Sequence, residues 1–385
     1  MVLPGERGLN LFISRVYADK FRNLSSVLVD FNRDLNIILG ANGQGKTNLL
    51  EAIYYLGTGR SHRTSVTGEL IAEGFEDDGA IIQIKLIKND DLEDKLSLRL
   101  KKNKKVYRLN DEEVDKQENF IGRLNVVMFS PEDLQLVKGS PSNRRDFLDI
   151  EVSQVSSSYY RHLQRYRRVL RQRNNLLKEI RSGKSEKKEL LSVFTDQLVD
   201  AGSKIVAKRL EVVDKLKILG RLHQRRLTNN EENLTISYDF SFPASNDMDK
   251  KELRKAMERE LEDKIEKEID RGYTTCGPHR DDLNLILNEM NVRKYGSQGQ
   301  QRTVALSLKL SELEFMKSEA GEYPVLLLDD VFSELDEDRR GLLMDFIGSR
   351  VQTFLTTTDR MMAEEITSDE DHFYTIRQGE ITEGW

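Results

Sequence analysis

The stretch that decides the fold reads Gly40-Ala41-Asn42-Gly43-Gln44-Gly45-Lys46-Thr47. The apolar run before it, residues 35–39, is typical of a strand, and the run after it, residues 48–53, is typical of a helix. Glycines let backbone N–H groups curl around an anion, and the helix that follows turns its positive N-terminal end toward that anion. The pattern therefore predicts a phosphate-binding loop, in which Lys46 reaches the β- and γ-phosphates of ATP and the Thr47 hydroxyl ligates Mg²⁺.

The composition limits the class of protein. With 385 residues, the chain is long enough for two or three domains that each have their own core. It has no run of about 18 apolar residues that could cross a membrane, and residues 1–10 contain no apolar secretion signal. The single cysteine, Cys276, excludes an internal disulfide and a zinc cage of paired cysteines. We therefore expect a cytoplasmic protein.

Positive charge is concentrated locally, although the formal net charge is −6. Residues 159–178 contain seven basic side chains and no acid, and shorter basic runs occur at 101–105 and 221–226. Each run alone suits an ordinary solvated face. Beside an ATP site, the three runs together suggest binding of an anionic polymer. The candidate DNA contacts are Arg165, Arg168 and Arg171.

The periodicity of apolar residues changes twice along the chain. Strand-like segments occur at 9–16, 26–31, 35–39, 80–87, 95–100, 106–109 and 125–129, and again at 283–287, 325–328, 354–358 and 373–376. Between them, apolar residues at three- and four-residue spacing predict short antiparallel helices over 153–270. We therefore expect one α/β head, made of residues 1–150 and 271–385, that is split in sequence by a helical arm of residues 151–270.

Two acids follow an apolar, strand-like run at 324–328, namely Asp329 and Asp330. A strand buried on both faces is apolar throughout, and acids at its carboxyl end lie where parallel sheets bind ligands. We expect Asp329 to hold Mg²⁺, usually through water, and Asp330 to polarise the attacking water. An ordinary strand-to-loop boundary is the alternative interpretation of the pair taken alone.

A second anion-binding cup is predicted at Gly296-Ser297-Gln298-Gly299-Gln300, just before a helix-like run at 303–316. One subunit rarely needs two phosphate cups for one nucleotide. The economical arrangement places the nucleotide between two subunits. Each subunit then contributes its loop to one face and its Ser297 cup to the other.

These three elements, in this order and separated by a helical insertion, resemble the ATP-binding-cassette heads of the SMC/Rad50 type. The cup keeps the serine, the second glycine and the final glutamine of the class signature Leu-Ser-Gly-Gly-Gln, and Ser333 and Asp336 resemble its D-loop. Within that class, the chain resembles the RecF family of bacterial recombination mediators nearly end to end. The strings that carry this resemblance are residues 40–52, 59–64, 129–134, 277–282, 294–308 and 326–336.

The resemblance implies an ATPase that dimerises on ATP, binds gapped or single-stranded/double-stranded DNA and assists the loading of recombinase. It implies weak, DNA-stimulated hydrolysis that serves as a switch, with Mg²⁺ as a cofactor and with roles in DNA replication, repair of DNA damage and the SOS response. RecR, RecO and the recombinase RecA are the partners it implies. It also places Arg60 and Arg63 where such heads supply an arginine toward the phosphates, and Arg63 is the catalytic candidate.

The chain departs from the class pattern at three positions. The residues found where the class has its Q-loop glutamine and its switch histidine are Ser130, Glu132, Asp133, Thr358 and Asp359. The candidate base Asp330 is one methylene shorter than the customary glutamate. These departures favour a slow clamp over a motor. For Cys276, His279 and Arg280 we expect packing rather than chemistry.

Three other functions are weighed against this one. The ATP-hydrolysing subunit of a membrane transporter would carry the full signature and no arm. The head of a nuclease or chromosome-organising complex would carry a much longer arm, a Cys-x-x-Cys hook or a nuclease domain. A purely structural DNA clamp, in which ATP only stabilises the dimer, stays open because of the departures above. The sequence does not reveal the DNA polarity, the hydrolysis rate or the partner surfaces.

Overall fold

The computed structural model describes residues 11–88, 92–102, 104–184, 188–366 and 372–384. These residues form two compact units. The split unit contains the described residues up to Asp133 and from Glu312 onward, and the inserted unit contains residues 134–311. The predicted strand at 9–16 is observed from Leu11 onward, while residues 1–10 lie outside the described residues.

The secondary structure of the described chain alternates strands and helices in the split unit and is mostly helical in the inserted unit. The strands are β1 Leu11–Asp19, β2 Val27–Asp30, β3 Leu35–Leu39, β4 Ala80–Lys88, β5 Leu92–Lys101, β6 Lys104–Leu109, β7 Glu112–Glu113, β8 Val126–Phe129, β9 Leu234–Asp239, β10 Asp282–Leu287, β11 Met290–Asn291, β12 Val325–Asp329, β13 Thr353–Thr357, β14 His372–Arg377 and β15 Glu380–Glu383. The helices are α1 Lys46–Thr58, α2 Leu134–Lys138, α3 Pro141–Val155, α4 Ser157–Arg181, α5 Lys188–Leu227, α6 Lys250–Asp263, α7 Ile265–Arg271, α8 Val292–Tyr295, α9 Gln298–Ala320, α10 Glu337–Ile347 and α11 Arg360–Glu365.

The first sheet of the split unit has the strand order β15-β14-β3-β13-β12-β8 and is parallel except for β15. Strands β3, β13 and β12 are buried almost throughout, as expected for parallel strands that are covered on both faces. Leu39 pairs with Thr357, and Asp329 pairs with Thr356. The carboxyl ends of these three strands therefore lie side by side, and the phosphate loop begins at the same edge.

The second sheet of the split unit is antiparallel, with the order β2-β1-β4-β5-β6-β7. Along β4, buried residues alternate with partly exposed ones. This alternation is typical of an antiparallel sheet with one face in the core and the other toward solvent.

The inserted unit is built on α5, which packs against α4, α6 and β9. Because α5 has 40 residues, the prediction of short helices is wrong for this part of the chain. The prediction also missed β9, in which Leu234, Ile236 and Tyr238 are buried and the residues between them are not. That alternation with period two is the signal of a strand.

The bounds of the two units differ from the predicted bounds at residues 150 and 271. Helix α3 packs on α4 and on β10, and β10 pairs with β9. Residues 134–150 and 272–311 therefore belong to the same compact unit as the helical part of the chain. The boundary between Ser311 and Glu312 falls within α9.

Among the described residues, no helix combines the length and the apolarity that a membrane span requires.

Candidate nucleotide site

The phosphate loop joins β3 to α1, as the sequence predicts. Gly45 has φ +121°, a backbone conformation that L side chains rarely adopt, and this explains the glycine at this position. In this described stretch no side chain caps the N-terminus of α1, and no acid lies in its first turn. The first N–H groups of the helix therefore point toward the loop without a side-chain acceptor, which is the arrangement that binds phosphate.

Lys46 is 7% exposed and lies inside this loop. Its Nζ donates hydrogen bonds to the backbone oxygens of Gly40, at 2.6 Å, and Ala41, at 3.1 Å. An ammonium group has three donors, so one remains for an anion. Burial lowers the pKa of Lys46, and the negative charges of Asp330 and Asp329 oppose that shift.

The predicted metal ligands meet at the edge of the parallel sheet. The Thr47 hydroxyl donates to Asp329 Oδ1 at 3.0 Å, and the Thr356 hydroxyl donates to the same oxygen at 2.8 Å. A hydroxyl and a carboxylate are the hard oxygen donors that Mg²⁺ prefers, and this ion usually takes its other ligands from phosphate and water. Among the described residues no group of three acids, histidines or cysteines could hold a metal alone. The pair therefore fits a Mg²⁺ that arrives with a nucleotide.

Asp330, the candidate base, has an unusual backbone. Its φ of 52° and ψ of 25° are left-handed, a conformation that aspartate tolerates better than most residues. Its N–H donates to the Thr356 hydroxyl oxygen at 3.0 Å, and its carbonyl accepts from the Ser333 hydroxyl at 2.7 Å. Thr356 thus holds both acids in place. Sequence reasoning missed this residue, although it lies near the end of a buried strand where such groups gather.

The predicted D-loop residues have local roles in this structure. Ser333 bonds the backbone of Asp330, as described above. Asp336 caps α10 by accepting from the N–H of Arg339 at 3.0 Å. An N-terminal cap is a common role for aspartate and does not require a nucleotide.

Arg63, the predicted catalytic arginine, lies against the flank of α1. Its Nη1 donates to Asn48 Oδ1 at 2.9 Å and lies 3.5 Å from the Glu51 carboxylate. Glu51 is fully buried, and Arg22 forms an ion pair with it at 2.9 Å. Burial alone would raise the pKa of Glu51, but hydrogen bonds from Arg22 and Ser61 hold that pKa below its usual value. The structure therefore brings Arg63 next to the residue that follows Thr47, and a contact with phosphate stays a prediction.

His62 is a residue of this site that the sequence analysis did not single out. Its Nδ1 is buried and makes no hydrogen bond among the described residues. Burial lowers the pKa of His62, although the charges of Glu51, Glu132 and Asp329 oppose the shift. The imidazole is therefore mostly neutral near pH 7. The basic string at 59–64 is the one signal that could have pointed to it.

Two of the residues found at the missing Q-loop and switch positions, Asp133 and Asp359, accept hydrogen bonds from the local backbone. Asp133 accepts from the N–H of Ser130 at 2.8 Å. Asp359 caps α11 by accepting from the N–H groups of Met361 and Met362. Both aspartates thus have structural roles. They lie where the class has its Q-loop glutamine and its switch histidine.

The Ser297 cup belongs to the inserted unit and opens helix α9. The Ser297 N–H donates to Gln300 Oε1 at 2.9 Å, and the Gln300 N–H donates to Ser297 Oγ at 3.2 Å. This reciprocal pair is a capping box, here with glutamine as its third helical residue. Because Ser297 Oγ accepts from the backbone, its hydroxyl hydrogen can point outward to an anion. A Cβ added at Gly299 would meet no atom closer than Ser297 Oγ, at 3.9 Å, so the cup has an open approach.

Side chains of the same unit hold the cup from behind. Gln300 Nε2 donates to Glu232 Oε1 at 2.9 Å, and Gln224 Nε2 donates to Glu232 Oε2 at 2.7 Å. Gln224 Oε1 in turn accepts from the Ser307 hydroxyl at 2.7 Å. Because Glu232 accepts from the Gln300 nitrogen, the Gln300 amide turns its oxygen toward the Ser297 N–H. The sequence analysis missed Glu232, since it lies 68 residues from Gln300.

The basic run on α4 is less free than the sequence suggests. Arg165 pairs with Asp200 at 2.9 Å, Arg167 pairs with Asp149 at 2.8 Å, and the fully buried Arg173 pairs with Glu268 at 2.6 Å. Each of these acids comes from another helix. Arg168 and Arg171 are exposed, and within the described chain neither forms an ion pair. Of the three predicted DNA contacts, these two keep an uncompensated charge.

Cys276 and His279 are buried within the inserted unit, as expected for packing. Burial raises the pKa of the Cys276 thiol to about 12, so the thiolate is negligible near neutral pH. His279 Nδ1 is 2.6 Å from the Tyr166 hydroxyl, and burial lowers the pKa of His279 to about 3. Arg280 lies over the Tyr273 ring, 5.0 Å from its centroid.

Comparison with known proteins gives matches along nearly the whole chain. A model of the RecF/RecN/SMC N terminal domain family matches residues 12–382. The DNA replication and repair protein RecF of Halothermothrix orenii is 50% identical over 377 residues, which cover 97% of this chain and 99% of that protein. A solved structure of the recombination mediator protein RecF with ATP, in the RecFOR pathway, has a TM-score of 0.91 at 33% identity and covers 99% of both chains.

A more distant match extends the likeness of the fold. The Smc head domain derived from Pyrococcus furiosus, bound to the C-terminal domain of ScpA, has a TM-score of 0.54 at 16% identity, covering 97% of this chain and 96% of that chain. Together these matches confirm the predicted fold class, which is an α/β ATP-binding-cassette head of the SMC/Rad50 type with a helical insertion. They also confirm the predicted resemblance to RecF.

Proposed function

We propose that this chain, which belongs to the RecF/RecN/SMC N-terminal domain family, is an ATP-dependent DNA-binding protein of recombinational repair. The observation that carries the proposal is the cluster of Lys46, Thr47, Asp329 and Thr356 at the edge of the parallel sheet. A buried lysine in a glycine loop, beside a hydroxyl and a carboxylate that share one hydrogen bond, suits a Mg²⁺-nucleotide and few other ligands.

The residues of the loop have separable roles in binding. ATP with Mg²⁺ supplies the γ-phosphate, on which water can act. The Lys46 ammonium would donate its remaining hydrogen to the phosphates, and the first N–H groups of α1 would also donate to them. Thr47 and Asp329, which share a hydrogen bond in this structure, would hold the metal, Asp329 through water.

Hydrolysis depends on a proton acceptor beside the metal ligands. We assign this role to the Asp330 carboxylate, which takes a proton from water, while Thr356 fixes the backbone that carries it. The short side chain of Asp330 and the absence of a histidine at 358–359 favour slow turnover. His62 supplies a neutral imidazole near the acids and is the candidate to substitute for that histidine.

ATP-dependent dimerisation is the second part of the proposal. The Ser297 hydroxyl and the open face at Gly299 suit the γ-phosphate of a nucleotide held by a second copy of the chain. A nucleotide that contacts two subunits stabilises the dimer by linkage. Hydrolysis would then reset the clamp.

DNA and protein partners complete the proposal. Exposed Arg168 and Arg171 are the candidate DNA contacts, and Arg165 contributes less because it forms an ion pair with Asp200, which also pairs with Lys204. The RecF proteins that this chain resembles are named for DNA replication, repair and the RecFOR pathway, which supports RecO and RecR as partners. We extend the proposal to RecA as a further partner and to the cytoplasm as the location. We extend the same proposal to gapped DNA and to the SOS response.

A structural DNA clamp is the second candidate, favoured by one observation. Asp133 and Asp359 act as local caps at the positions where faster enzymes of the class have catalytic groups. In such a clamp, ATP would hold the dimer together and its hydrolysis would have no role.

Measurement of phosphate release, with and without gapped DNA, separates the two candidates. Slow turnover that rises with gapped DNA, and that is lost in Asp330→Asn, supports the first. Turnover that is absent, or that Asp330→Asn leaves unchanged, contradicts it.

A further inference from the structure

A small cavity of about 180 Å³ lies within the inserted unit, and no residue of the Ser297 cup lines it. Helices α3, α4 and α5 and the loop before β10 form its walls. Its lining includes the cations Arg145, Arg167 and Arg209 and the acids Asp146 and Asp149. His279 also lines it and is neutral, since burial lowers its pKa to about 3. The charged lining residues therefore leave a surplus of positive charge.

The buried acid of the cavity is already satisfied. Asp149 accepts from Arg209 at 2.7 Å, from Arg167 at 2.8 Å and from the Tyr159 hydroxyl at 2.6 Å. Arg209 uses all three of its nitrogens, because the other two donate to the Tyr159 and Tyr238 hydroxyls and to the carbonyl of Pro278. These groups form a closed network that needs no further ligand.

Arg145 is the cation that this network leaves out. Its Nη1 donates to the carbonyl of Asp281 at 2.9 Å. The nearby carboxylates have other partners, because Asp282 takes both nitrogens of the Arg144 fork and Asp281 accepts from Tyr238 and Ser241. Burial and the charge of Arg209 lower the pKa of Arg145. Among the described residues, Arg145 thus forms no ion pair with a carboxylate, and the charges of Asp282 and Asp146 offset only part of the cost of its partial burial.

We propose that this cavity binds one phosphate oxyanion between Arg145 and Arg167. Arg145 keeps its Nε and Nη2 donors, and Arg167 uses only Nη2 for Asp149, so two guanidinium groups offer donors to the same space. The paired N–H groups of a guanidinium can donate to two oxygens of one phosphate at the same time. Ligand pockets for drug-sized molecules measure roughly 300–1,000 Å³, so this cavity is too small for a nucleoside.

The phosphate can have two sources, a backbone phosphodiester of DNA or a free phosphate ion. The test uses the full-length chain, with Arg145→Gln as the variant and Lys217→Gln as its control. Lys217 is exposed on α5, outside the cavity, so its loss changes the net charge equally. Gapped duplex DNA and inorganic phosphate are the two probes, read by affinity at several salt concentrations and by phosphate-dependent thermal stabilisation.

For a DNA source, Arg145→Gln weakens DNA binding about tenfold and lowers the slope of log affinity against log salt by about 0.9, while Lys217→Gln changes neither. For a free phosphate source, DNA binding stays at the parent value, and only Arg145→Gln reduces the stabilisation by phosphate. The part that remains comes from the phosphate loop at Lys46. Arg145→Lys keeps the charge without the fork and should lie between the parent and Arg145→Gln. If Arg145→Gln fails to fold, Arg145→Lys replaces it as the test variant.

The proposal is overturned if Arg145→Gln and Lys217→Gln behave alike with both probes. The experiment with gapped DNA rests on the proposed DNA binding, whereas the experiment with inorganic phosphate does not. A parent protein that binds no DNA would contradict the proposed function. The experiment with inorganic phosphate would still decide whether the cavity binds phosphate.

Discussion

The split unit and the inserted unit prepare for phosphate in different ways. In the split unit, Lys46, Thr47 and Asp329 already bond one another or their own loop, and two of them are more than nine-tenths buried. In the inserted unit, Ser297 is exposed, and Glu232 holds the Gln300 side chain behind it. The first site is complete within one chain, whereas the second has an open face. The difference supports the proposal that one chain binds a nucleotide with its own loop and that its cup contacts a nucleotide held by a second copy of the chain.

The largest effect is expected from substitutions in the phosphate loop. Lys46→Ala should weaken ATP binding about 100-fold, because it removes a charged donor worth roughly 1.5–3 kcal/mol per hydrogen bond. Lys46→Arg should restore it only in part, since a planar fork cannot replace a compact ammonium. Titration with ATP checks this, with exposed Lys116→Ala as the control. Unchanged affinity in Lys46→Ala would contradict the assignment of the loop.

Asp329→Ala tests whether Asp329 contributes to ATP binding through the metal ion. The variant removes the acceptor shared by Thr47 and Thr356, and we expect ATP binding in the presence of Mg²⁺ to weaken about tenfold. Binding in EDTA should change much less. Exposed Asp115→Ala serves as the control for charge. Equal losses with and without Mg²⁺ would show that Asp329 supports the fold and not the metal.

A smaller effect tests the support behind the cup. Glu232→Ala should weaken ATP-dependent dimerisation about fivefold, since a hydrogen bond is worth about 1 kcal/mol, while ATP binding to the monomer stays constant. Glu231→Ala changes an exposed neighbour and should have no effect. In a Gln300→Ala background, Glu232→Ala should add nothing, because the two residues act as a pair. Additive losses would assign Glu232 to general stability.

The smallest effect distinguishes the arginines of α4. Reversal of Arg168 and Arg171 to Glu should lower the slope of log DNA affinity against log salt by about 0.9 per lost phosphate contact. Arg165→Glu should change the slope less, because the Arg165 guanidinium already pairs with Asp200. If all three arginines act equally, ion pairing within the unit does not decide which cations meet DNA.

The same contrast explains how far the sequence could predict the molecule. Strand β3 is observed at Leu35–Leu39, as predicted, because a buried parallel strand and a glycine loop have strong local signals. Asp329 and Thr47 could be paired in advance because parallel strands bring their carboxyl ends together. The carboxylates of Asp200 and Glu232 could not be placed, since they reach Arg165 and Gln300 from 35 and 68 residues away. Strand β9 was missed because its polar flanks hid a clear alternation.

The central claim is that two chains share their nucleotides, each giving its loop to one and its cup to the other. Sedimentation with ATP and Mg²⁺ tests it most directly, on Asp330→Asn and Ser297→Arg. Both variants keep Lys46 and should bind nucleotide. Asp330→Asn should be mostly dimer because hydrolysis no longer releases the partner, and Ser297→Arg should be mostly monomer because bulk fills the cup. Ser297→Arg that dimerises on ATP as well as the parent would contradict the shared site.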